Sequence, residues 1–210
     1  MSGLPGSVDR WNARYSAEGF VFGTEPNDVL AARAGLFAPG DRVLCVADGE
    51  GRNSTFLAAR GCAVTAFDAS PVGVDKARGL AAARGVTVEL HVASVDDWDW
   101  AGRAPAGGWD AVVAIFVQFA TPAQRAAMFE GFGRALRPGG TLLLVGYGPL
   151  QLEYRTGGPG IAEHLYDEPM LERAFAGWRI ERLMREQRAL AEGGGHVGMS
   201  DVLELVARRP

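Results

Sequence analysis

Residues 41–61 read DRVLCVADGEGRNSTFLAARG, and the fold of the whole chain follows from this stretch. The apolar run 43–47 predicts a buried strand, and the two glycines of the D-G-E-G segment predict a tight turn after it. A helix should come next, capped by Asn53 or Ser54 and closed by Gly61. The stretch therefore predicts a strand, a glycine turn and a helix in immediate succession.

The residues that follow extend this pattern into a recognised motif. A second apolar run, 63–67, predicts another strand, and that strand ends in an acid, Asp68. Strand, glycine turn, helix, strand and acid form the layout of a nucleotide-binding βαβ unit. Glycines let a ligand approach the backbone, and the acid can accept hydrogen bonds from two ribose hydroxyls. A tight turn without a ligand is the alternative, and the position of Asp68 counts against it.

The rest of the chain alternates apolar runs with helical patterns. The predicted strands are 43–47, 63–67, 86–92, 110–119, 141–147, 178–188 and 202–208. The predicted helices outside the first unit are 28–35, 70–84, 121–136 and 167–176, and the segment 137–140 is a sharp stop. Ser70-Pro71 should start the second of these helices, and Gly85 should close it. Five buried strands separated by helices indicate an α/β fold, a doubly wound, mostly parallel sheet of seven strands. The last two strands should add an antiparallel hairpin at the C-terminal edge.

The chain has no composition break or internal repeat, which predicts a single domain over residues 1–210. Residues 1–30 form an N-terminal cap or lid segment, of which residues 1–9 are a loose leader. The aromatic stretch 11–22 within it is either a structural cap on the core or a wall of the substrate site. Ligands of such sheets bind outside the carboxyl ends of the strands, so we expect the site there.

Composition limits the possible partners. A net charge of −4 and a pI of about 5.4 argue against a nucleic-acid binder. No apolar run has membrane-spanning length and no signal-peptide core begins the chain, which predicts a cytoplasmic protein without a membrane partner. Cys45 and Cys62 fall within or beside apolar runs, as reduced core residues do. Whether the protein is a monomer or a homodimer stays open.

Five features, in this order and spacing, resemble the class I S-adenosylmethionine-dependent methyltransferases. They are VLCVADGEG at 43–51, Asp68 followed by Ser70-Pro71, ASV at 93–95, WDAVV at 109–113 and LRPGG at 136–140. The resemblance implies a Rossmann-like methyltransferase fold, S-adenosyl-L-methionine as cofactor and methyl transfer as activity. The leader, TGGP at 156–159 and GHVGMS at 195–200 are similar to a small bacterial subgroup related to tellurite-resistance and thiopurine methyltransferases. That similarity implies a small acceptor such as a thiol, tellurite or selenite.

The sequence departs from the family pattern at two places. Cys45 and Ala47 stand where the first motif usually carries an acid, and Asp48, later in the turn, is a substitute contact to the methionine moiety. Ser94 replaces the acid that usually meets the adenine amine, so a hydroxyl or the backbone must do so.

The resemblance and the strand-end rule together assign the cofactor site. Asp68 should accept both ribose hydroxyls, the turn glycines should let the cofactor approach the backbone, and Ser94 and Val95 should flank the adenine. The predicted cofactor-binding residues are Trp11, Arg14, Asp48, Gly49, Gly51, Asn53, Asp68, Ala69, Ser70, Ser94, Val95, Ile115, Phe116 and Gln118.

The catalytic side is less marked, because methyl transfer from a sulfonium depends mainly on positioning and desolvation. His196 is the best candidate for a base, since imidazole titrates near neutrality, although a histidine of a surface loop is the alternative. Tyr15 and Tyr154 are the other polar residues expected in a small apolar acceptor pocket. No three ligands stand at metal spacing, so no metal is predicted.

Two other function classes stay open. An NAD(P)-dependent oxidoreductase could use the same fold, although the third glycine of its fingerprint would fall near Ser54. A non-catalytic module that binds S-adenosylmethionine is also compatible with the sequence.

Overall fold

The computed structural model describes residues 7–210, so residues 1–6 of the predicted leader lie outside the described residues. The strands are β1 (Arg42–Val46), β2 (Ala63–Asp68), β3 (Val88–Val92), β4 (Trp109–Ile115), β5 (Leu136–Tyr147), β6 (Arg179–Glu192) and β7 (His196–Arg208). The helices are α1 (Val8–Tyr15), α2 (Asp28–Ala32), α3 (Arg52–Ala59), α4 (Pro71–Arg84), α5 (Pro122–Ala135), α6 (Gln151–Tyr154) and α7 (Glu168–Ala174). Short 3-10 turns lie at Ala34–Leu36 and Ala162–His164.

The seven strands form one sheet in the order β3-β2-β1-β4-β5-β7-β6. The first five strands pair in parallel, and β7 pairs antiparallel with both β5 and β6. This confirms the predicted Rossmann-like methyltransferase fold with its C-terminal hairpin. The chain builds outward from β1 to β3 and then returns to the other side of β1, which opens a crevice between β1 and β4.

The core lies on both faces of the sheet. Leu44 and Val46 of β1 pack into one apolar cluster, and Val43 and Cys45 pack into the other. Successive side chains of a strand point to opposite faces, so a strand covered on both sides is apolar throughout. This double burial explains why β1 appears in the sequence as an unbroken apolar run.

Local capping fixes the helices near the crevice. As predicted, Ser70 caps α4 by accepting from the Gly73 N–H, and Gly85 ends it at a φ of +64°. The cap of α3 is different, because Gly51 occupies it at a φ of +88° and not Asn53 or Ser54. Those two side chains are engaged elsewhere, with the Asn27 N–H and with Asp48, respectively.

Several predicted boundaries were wrong. Strand β4 ends at Ile115 because Phe116 takes a left-handed φ of +55°, which leaves the extended conformation. Helix α2 stops at Ala32, and Gly35 lies in the 3-10 turn after it. The segment 137–140 does stop α5, but the chain continues there as the start of β5. Asp167 is the cap of α7 and not its first residue.

The C-terminal hairpin is longer than the sequence indicated. Its strands pair up to Glu192 opposite His196, whereas the prediction ended at residue 188 and resumed at residue 202. Because Tyr147 at the end of β5 pairs with Val202, the tip of the hairpin extends beyond the sheet at the carboxyl ends of the parallel strands. None of the helices in residues 7–210 has the length and apolar character needed to cross a membrane.

Candidate active site

A cavity of about 500 Å³ opens at the carboxyl ends of the parallel strands, where the crevice was expected. Ten of the fourteen predicted cofactor residues line it, together with the candidates Tyr15 and His196. The ten are Trp11, Asp48, Gly49, Asn53, Asp68, Ala69, Ser94, Val95, Ile115 and Phe116. The loops after β1, β2, β3 and β4 thus meet in one cavity.

Five predicted site residues lie elsewhere. Arg14 and Gln118 line a second, smaller cavity of about 60 Å³, and the amide of Gln118 is taken up by the backbone of Tyr147 and His164. Within the described chain, Gly51, Ser70 and Tyr154 line neither cavity.

Each of these three residues has a structural role instead. A Cβ on Gly51 would lie 2.8 Å from the Ala77 Cα, so this glycine lets α3 and α4 pack and does not face a ligand. The Ser70 hydroxyl caps α4 and contacts Asn12, and the Tyr154 hydroxyl donates to Gln187 at 2.6 Å.

Two acids, the buried Asp68 and the half-buried Asp48, lie at the start of the cavity. Asp68 accepts from the Gly49 N–H at 2.9 Å and from the Ser70 N–H at 2.8 Å. Asp48 accepts from the N–H and the hydroxyl of Ser54. Burial raises the pKa of Asp68 to about 6 and that of Asp48 to about 7, in spite of these hydrogen bonds. A cationic ligand beside them would favour their ionised forms.

The glycine turn leaves room for Tyr15. Gly49 has a φ of +61°, and a Cβ there would lie 2.6 Å from the Tyr15 hydroxyl. The Tyr15 ring also lies over Gly73 of α4 and stacks on Trp11 at 5.4 Å. Burial raises the pKa of Tyr15 well above its usual value, so its phenol stays protonated and is no base at neutral pH.

Two non-glycine residues with left-handed backbones line the cavity, Ala47 at a φ of +48° and Phe116 at +55°. This conformation costs about 1–2 kcal/mol for such residues and is concentrated at functional sites. Phe116 stacks on Tyr147 at 4.4 Å and meets the ring of His196 edge-on at 4.5 Å. The strained residue thereby builds one aromatic wall of the site.

Glu50, which the sequence analysis passed over, fastens the N-terminal segment to the glycine turn. Its buried carboxylate accepts from the Val21 N–H at 2.8 Å and from the Phe22 N–H at 3.4 Å. Its other oxygen binds Lys76 at 3.0 Å, and Lys76 also donates to two carbonyls of the segment, those of Ala17 and Gly19. A charged residue between the two turn glycines was the available signal for this role.

A buried ion pair joins the same turn to the C-terminal hairpin. Arg52 donates to Glu192 at 2.6 Å, and Glu192 also accepts from the Asn27 side chain at 2.7 Å. Burial opposes ionisation of Glu192, but the neighbouring His196 and the charge of Arg52 lower its pKa to about 2. Glu192 is therefore a carboxylate, even inside the protein.

His196 lies at the boundary between the two cavities and lines both of them. Its Nδ1 is 3.6 Å from the Glu192 carboxylate, just beyond hydrogen-bond distance, and has no hydrogen-bond partner among residues 7–210. Burial lowers the pKa of His196, so its imidazole is neutral at pH 7. The histidine is buried and not the surface-loop residue of the alternative prediction, because the longer hairpin brings it inward.

Other lining residues had no clear signal in the sequence. His164 is buried, and its Nδ1 lies 3.2 Å from the Gln118 carbonyl. Phe67 ends β2 and Gln124 lies in the first turn of α5, whereas the others come from the connections between elements: Asp96, Phe119, Thr121, Ile161, Glu163 and His164. In the described part of the chain, His, Cys, Asp and Glu form no group of three or more that could hold a metal ion.

Comparison with known proteins agrees with this fold. Residues 43–140, a little under half of the chain, match the family model described as a methyltransferase domain. Uncharacterized proteins of Mycobacterium tuberculosis and Mycobacterium bovis are 34% identical over 120 residues, which is 57% of this chain. The chain spans only 41% of the length of these relatives.

Solved structures share the fold at low sequence identity. One, from work on the conversion of a disulfide bond into a thioacetal group during echinomycin biosynthesis, has a TM-score of 0.76 and 22% identity, covering 96% of this chain and 91% of that one. TehB from Haemophilus influenzae has a TM-score of 0.67 at 15% identity, with 97% and 67% covered. The magnesium protoporphyrin IX methyltransferase of Synechocystis, solved with S-adenosylmethionine, has 0.61 at 18%, with 98% and 80% covered. These structures share the fold of this chain, and residues 43–140 match a methyltransferase domain.

Proposed function

We propose that this chain is an S-adenosylmethionine-dependent methyltransferase that acts on a small acceptor with a soft nucleophile, such as a thiol. The observation that carries the proposal is the position of the large cavity. It lies at the strand ends of a methyltransferase fold, with Asp48 in the glycine turn, Asp68 at the end of β2 and a neutral histidine at the boundary with the second cavity. The matched methyltransferase domain supports the same activity.

The residues of the large cavity fit the cofactor. Each oxygen of Asp68 accepts one backbone N–H and keeps a free lone pair for a ribose hydroxyl. The carboxylate of Asp48 suits the positive charge of the methionine end. Ser94 is engaged with Asp97 at 2.6 Å, so the adenine amine falls to the backbone or to Asp96, which also lines the cavity. Asp96 is thus available to bind the adenine amine in place of the acid that the family usually has.

S-adenosylmethionine supplies a methyl group on a positively charged sulfur, so the protein need only desolvate and aim the acceptor. The neutral imidazole of His196 can take the proton that a thiol loses as it is methylated. Phe22 and Phe116 meet its ring at 4.5 Å each and exclude water from that position. The resemblance to tellurite-resistance and thiopurine methyltransferases supports a thiol, tellurite or selenite as acceptor.

Binding and turnover separate this proposal from the alternatives. Calorimetry should detect S-adenosylmethionine binding and no NADH binding, and a screen of thiols, tellurite, selenite and small phenols should yield S-adenosylhomocysteine. Preferential NADH binding would make the protein an oxidoreductase. Binding of S-adenosylmethionine without transfer to any acceptor would leave a non-catalytic module.

The role of His196 has its own test. His196→Gln should slow methylation of an alkanethiol by about 10²–10⁴-fold, the usual contribution of a general base. An aryl thiol that is already ionised at the assay pH needs no base, so its rate should change much less. An equal loss for both thiols would show that His196 only shapes the pocket.

A further inference from the structure

The small cavity adjoins the large one and shares five lining side chains with it, which are Trp11, Phe22, Phe116, Phe119 and His196. From this arrangement we infer that the acceptor binds across the shared boundary, with its nucleophile at His196 and a carboxylate held by Arg14 in the small cavity. The inference rests on the proposed methyl transfer and names its substrate class, a small planar thiol or phenol that carries a carboxylate.

Among residues 7–210, Arg14 has no counter-ion. Its guanidinium carbon lies 4.8 Å from the centre of the Phe22 ring and 5.5 Å from that of Trp11. It makes no ion pair or hydrogen bond with any residue from 7 to 210, whereas Arg52 nearby is paired with Glu192. A partly buried charge is costly unless it is paired, so this guanidinium is available to an anionic ligand.

The hydroxyl of Tyr147 is a second unpartnered polar group in the same cavity. Tyr147 is only 1% exposed, and within the described chain its hydroxyl has no hydrogen-bond partner. Burial raises the pKa of this phenol, which keeps it a donor. A buried hydroxyl without a partner is unfavourable, and an acceptor atom of a ligand would satisfy it.

The T-G-G-P segment closes the wall behind this hydroxyl. A Cβ on Gly157 would lie 2.8 Å from the Tyr147 hydroxyl oxygen, and one on Gly158 would lie 3.0 Å from its ring. Gly158 and Pro159 line the small cavity. The two glycines therefore let the loop approach the ring closely, which gives this sequence motif a role in shaping the pocket.

The charges around the small cavity favour an anion. Arg10 lines it one helical turn before Arg14. The acids closest to the site are already engaged, since Glu50 binds Lys76 at 3.0 Å and Glu192 binds Arg52 at 2.6 Å. The residues that line the small cavity include these two arginines and no acid, and no acid of residues 7–210 forms an ion pair with either arginine.

The arrangement also fixes where the two ends of the acceptor lie. A Cβ on Gly195 would lie 3.1 Å from an Arg14 guanidinium nitrogen, so the cation stands beside the residue that precedes His196. A carboxylate at Arg14 and a nucleophile at His196 therefore fit one small ligand. A cavity needs only about 10–15 Å³ of accessible volume to hold a water, so the cavity of about 60 Å³ has room for a group of carboxylate size.

A matched pair of ligands tests this inference. We would measure kcat/KM for 4-mercaptobenzoate and for its neutral methyl ester. The wild-type protein should prefer the acid by about tenfold or more, the order of a charge-assisted pair. Arg14→Met should remove that preference, so that the acid-to-ester ratio falls to about one, and Arg14→Lys should keep part of it. Arg134→Met, which removes an exposed cation from α5, is the control and should leave the ratio unchanged.

A binding experiment keeps the test independent of turnover. The non-reactive 4-(methylsulfanyl)benzoate and its methyl ester would be titrated into the protein saturated with S-adenosylhomocysteine. The acid should bind more tightly than the ester, and both Arg14→Met and Tyr147→Phe should weaken the acid more than the ester. If no acceptor is methylated but this selectivity holds, the proposed activity fails and the anion site stands.

Two results would overturn the inference. The first result would be that the wild-type protein binds the acid no better than the ester, or binds neither of them. This result can be obtained without any variant. The other is a loss of S-adenosylhomocysteine affinity in Arg14→Met without any change in the acid-to-ester ratio. Arg14 would then be a cofactor-binding residue, as the sequence predicted. Arg14→Lys serves the same comparison if Arg14→Met does not fold.

Discussion

At the scale of single residues, Asp68 connects the turn after β1 to the start of α4, because its two oxygens hold the N–H groups of Gly49 and Ser70. We expect Asp68→Asn to weaken S-adenosylmethionine binding by about 1.5–3 kcal/mol, the value of hydrogen bonds to a charged group. Calorimetry measures this loss. Asp75→Asn, an exposed acid on α4, should bind normally. Equal affinity in both variants would remove Asp68 from the cofactor site.

The two acids at the start of the cavity also predict how cofactor affinity depends on pH. Their pKa values, about 7 for Asp48 and about 6 for Asp68, lie above the ordinary value of about 3.9. A cationic cofactor prefers the carboxylates, so affinity should rise between pH 5 and pH 8 with proton release. One pKa unit corresponds to about 1.4 kcal/mol, so the change should reach about tenfold or more. Calorimetry in two buffers of different ionisation enthalpy counts the protons, and Asp48→Asn should flatten the profile.

The raised pKa values of Asp48 and Asp68 also make the stability of the ligand-free protein fall as pH rises. A carboxyl whose pKa is raised on folding stabilises the folded state below its unfolded pKa, and this contribution is lost as pH rises through the folded pKa. The contribution of Asp48 and Asp68 to the free energy of unfolding should therefore fall between about pH 4 and pH 7. Denaturant titrations of wild type and Asp48→Asn would show it as a difference that grows with pH.

Gly51 gives a prediction about packing and not about binding. A Cβ would collide with Ala77, and the φ of +88° is unfavourable for any other residue. Gly51→Ala should lower the free energy of unfolding by about 1–3 kcal/mol, as overpacking and strain do. Gly79→Ala in α4 is the matched control, because nothing lies within 4 Å of its Cβ position. That change should stabilise the helix by about 0.5–1 kcal/mol. Equal unfolding energies for the two variants would contradict this account.

At the scale of elements, the pair of Arg52 and Glu192 ties α3 to the tip of the hairpin. Glu192→Gln leaves a buried arginine unpaired, so we expect a loss of about 3–5 kcal/mol in denaturant unfolding. The double variant Arg52→Met, Glu192→Leu should recover most of that loss, since apolar replacement of a buried pair is often neutral. Breaking the exposed pair of Arg78 and Asp75 should cost at most about 1 kcal/mol. Equal costs for the buried and exposed pairs would contradict the buried role.

At the scale of the whole molecule, the sequence predicts what depends on periodicity and local capping. The apolar runs identify the strands, and Ser70 and Gly85 mark the ends of α4 correctly. It predicts less well what depends on long-range packing. The hairpin tip carries few apolar residues, so the sequence did not predict that its strands pair. For the same reason the sequence could not decide whether His196 is a base or a surface-loop residue. The left-handed Phe116 has no signal at all, because a phenylalanine ordinarily continues a strand.

The position of the hairpin in the chain has a consequence for biosynthesis. The glycine turn, Asp48, Asp68 and the loops after the first four strands are translated before β5 is complete. Glu192 and His196 are translated later, and β7 must insert between β5 and β6 to bring them to the cavity. A nascent chain would therefore assemble the half that recognises the methyl donor first. The proposed acceptor side, which needs His196 as well as the early residue Arg14, would be complete only when the last strand has docked.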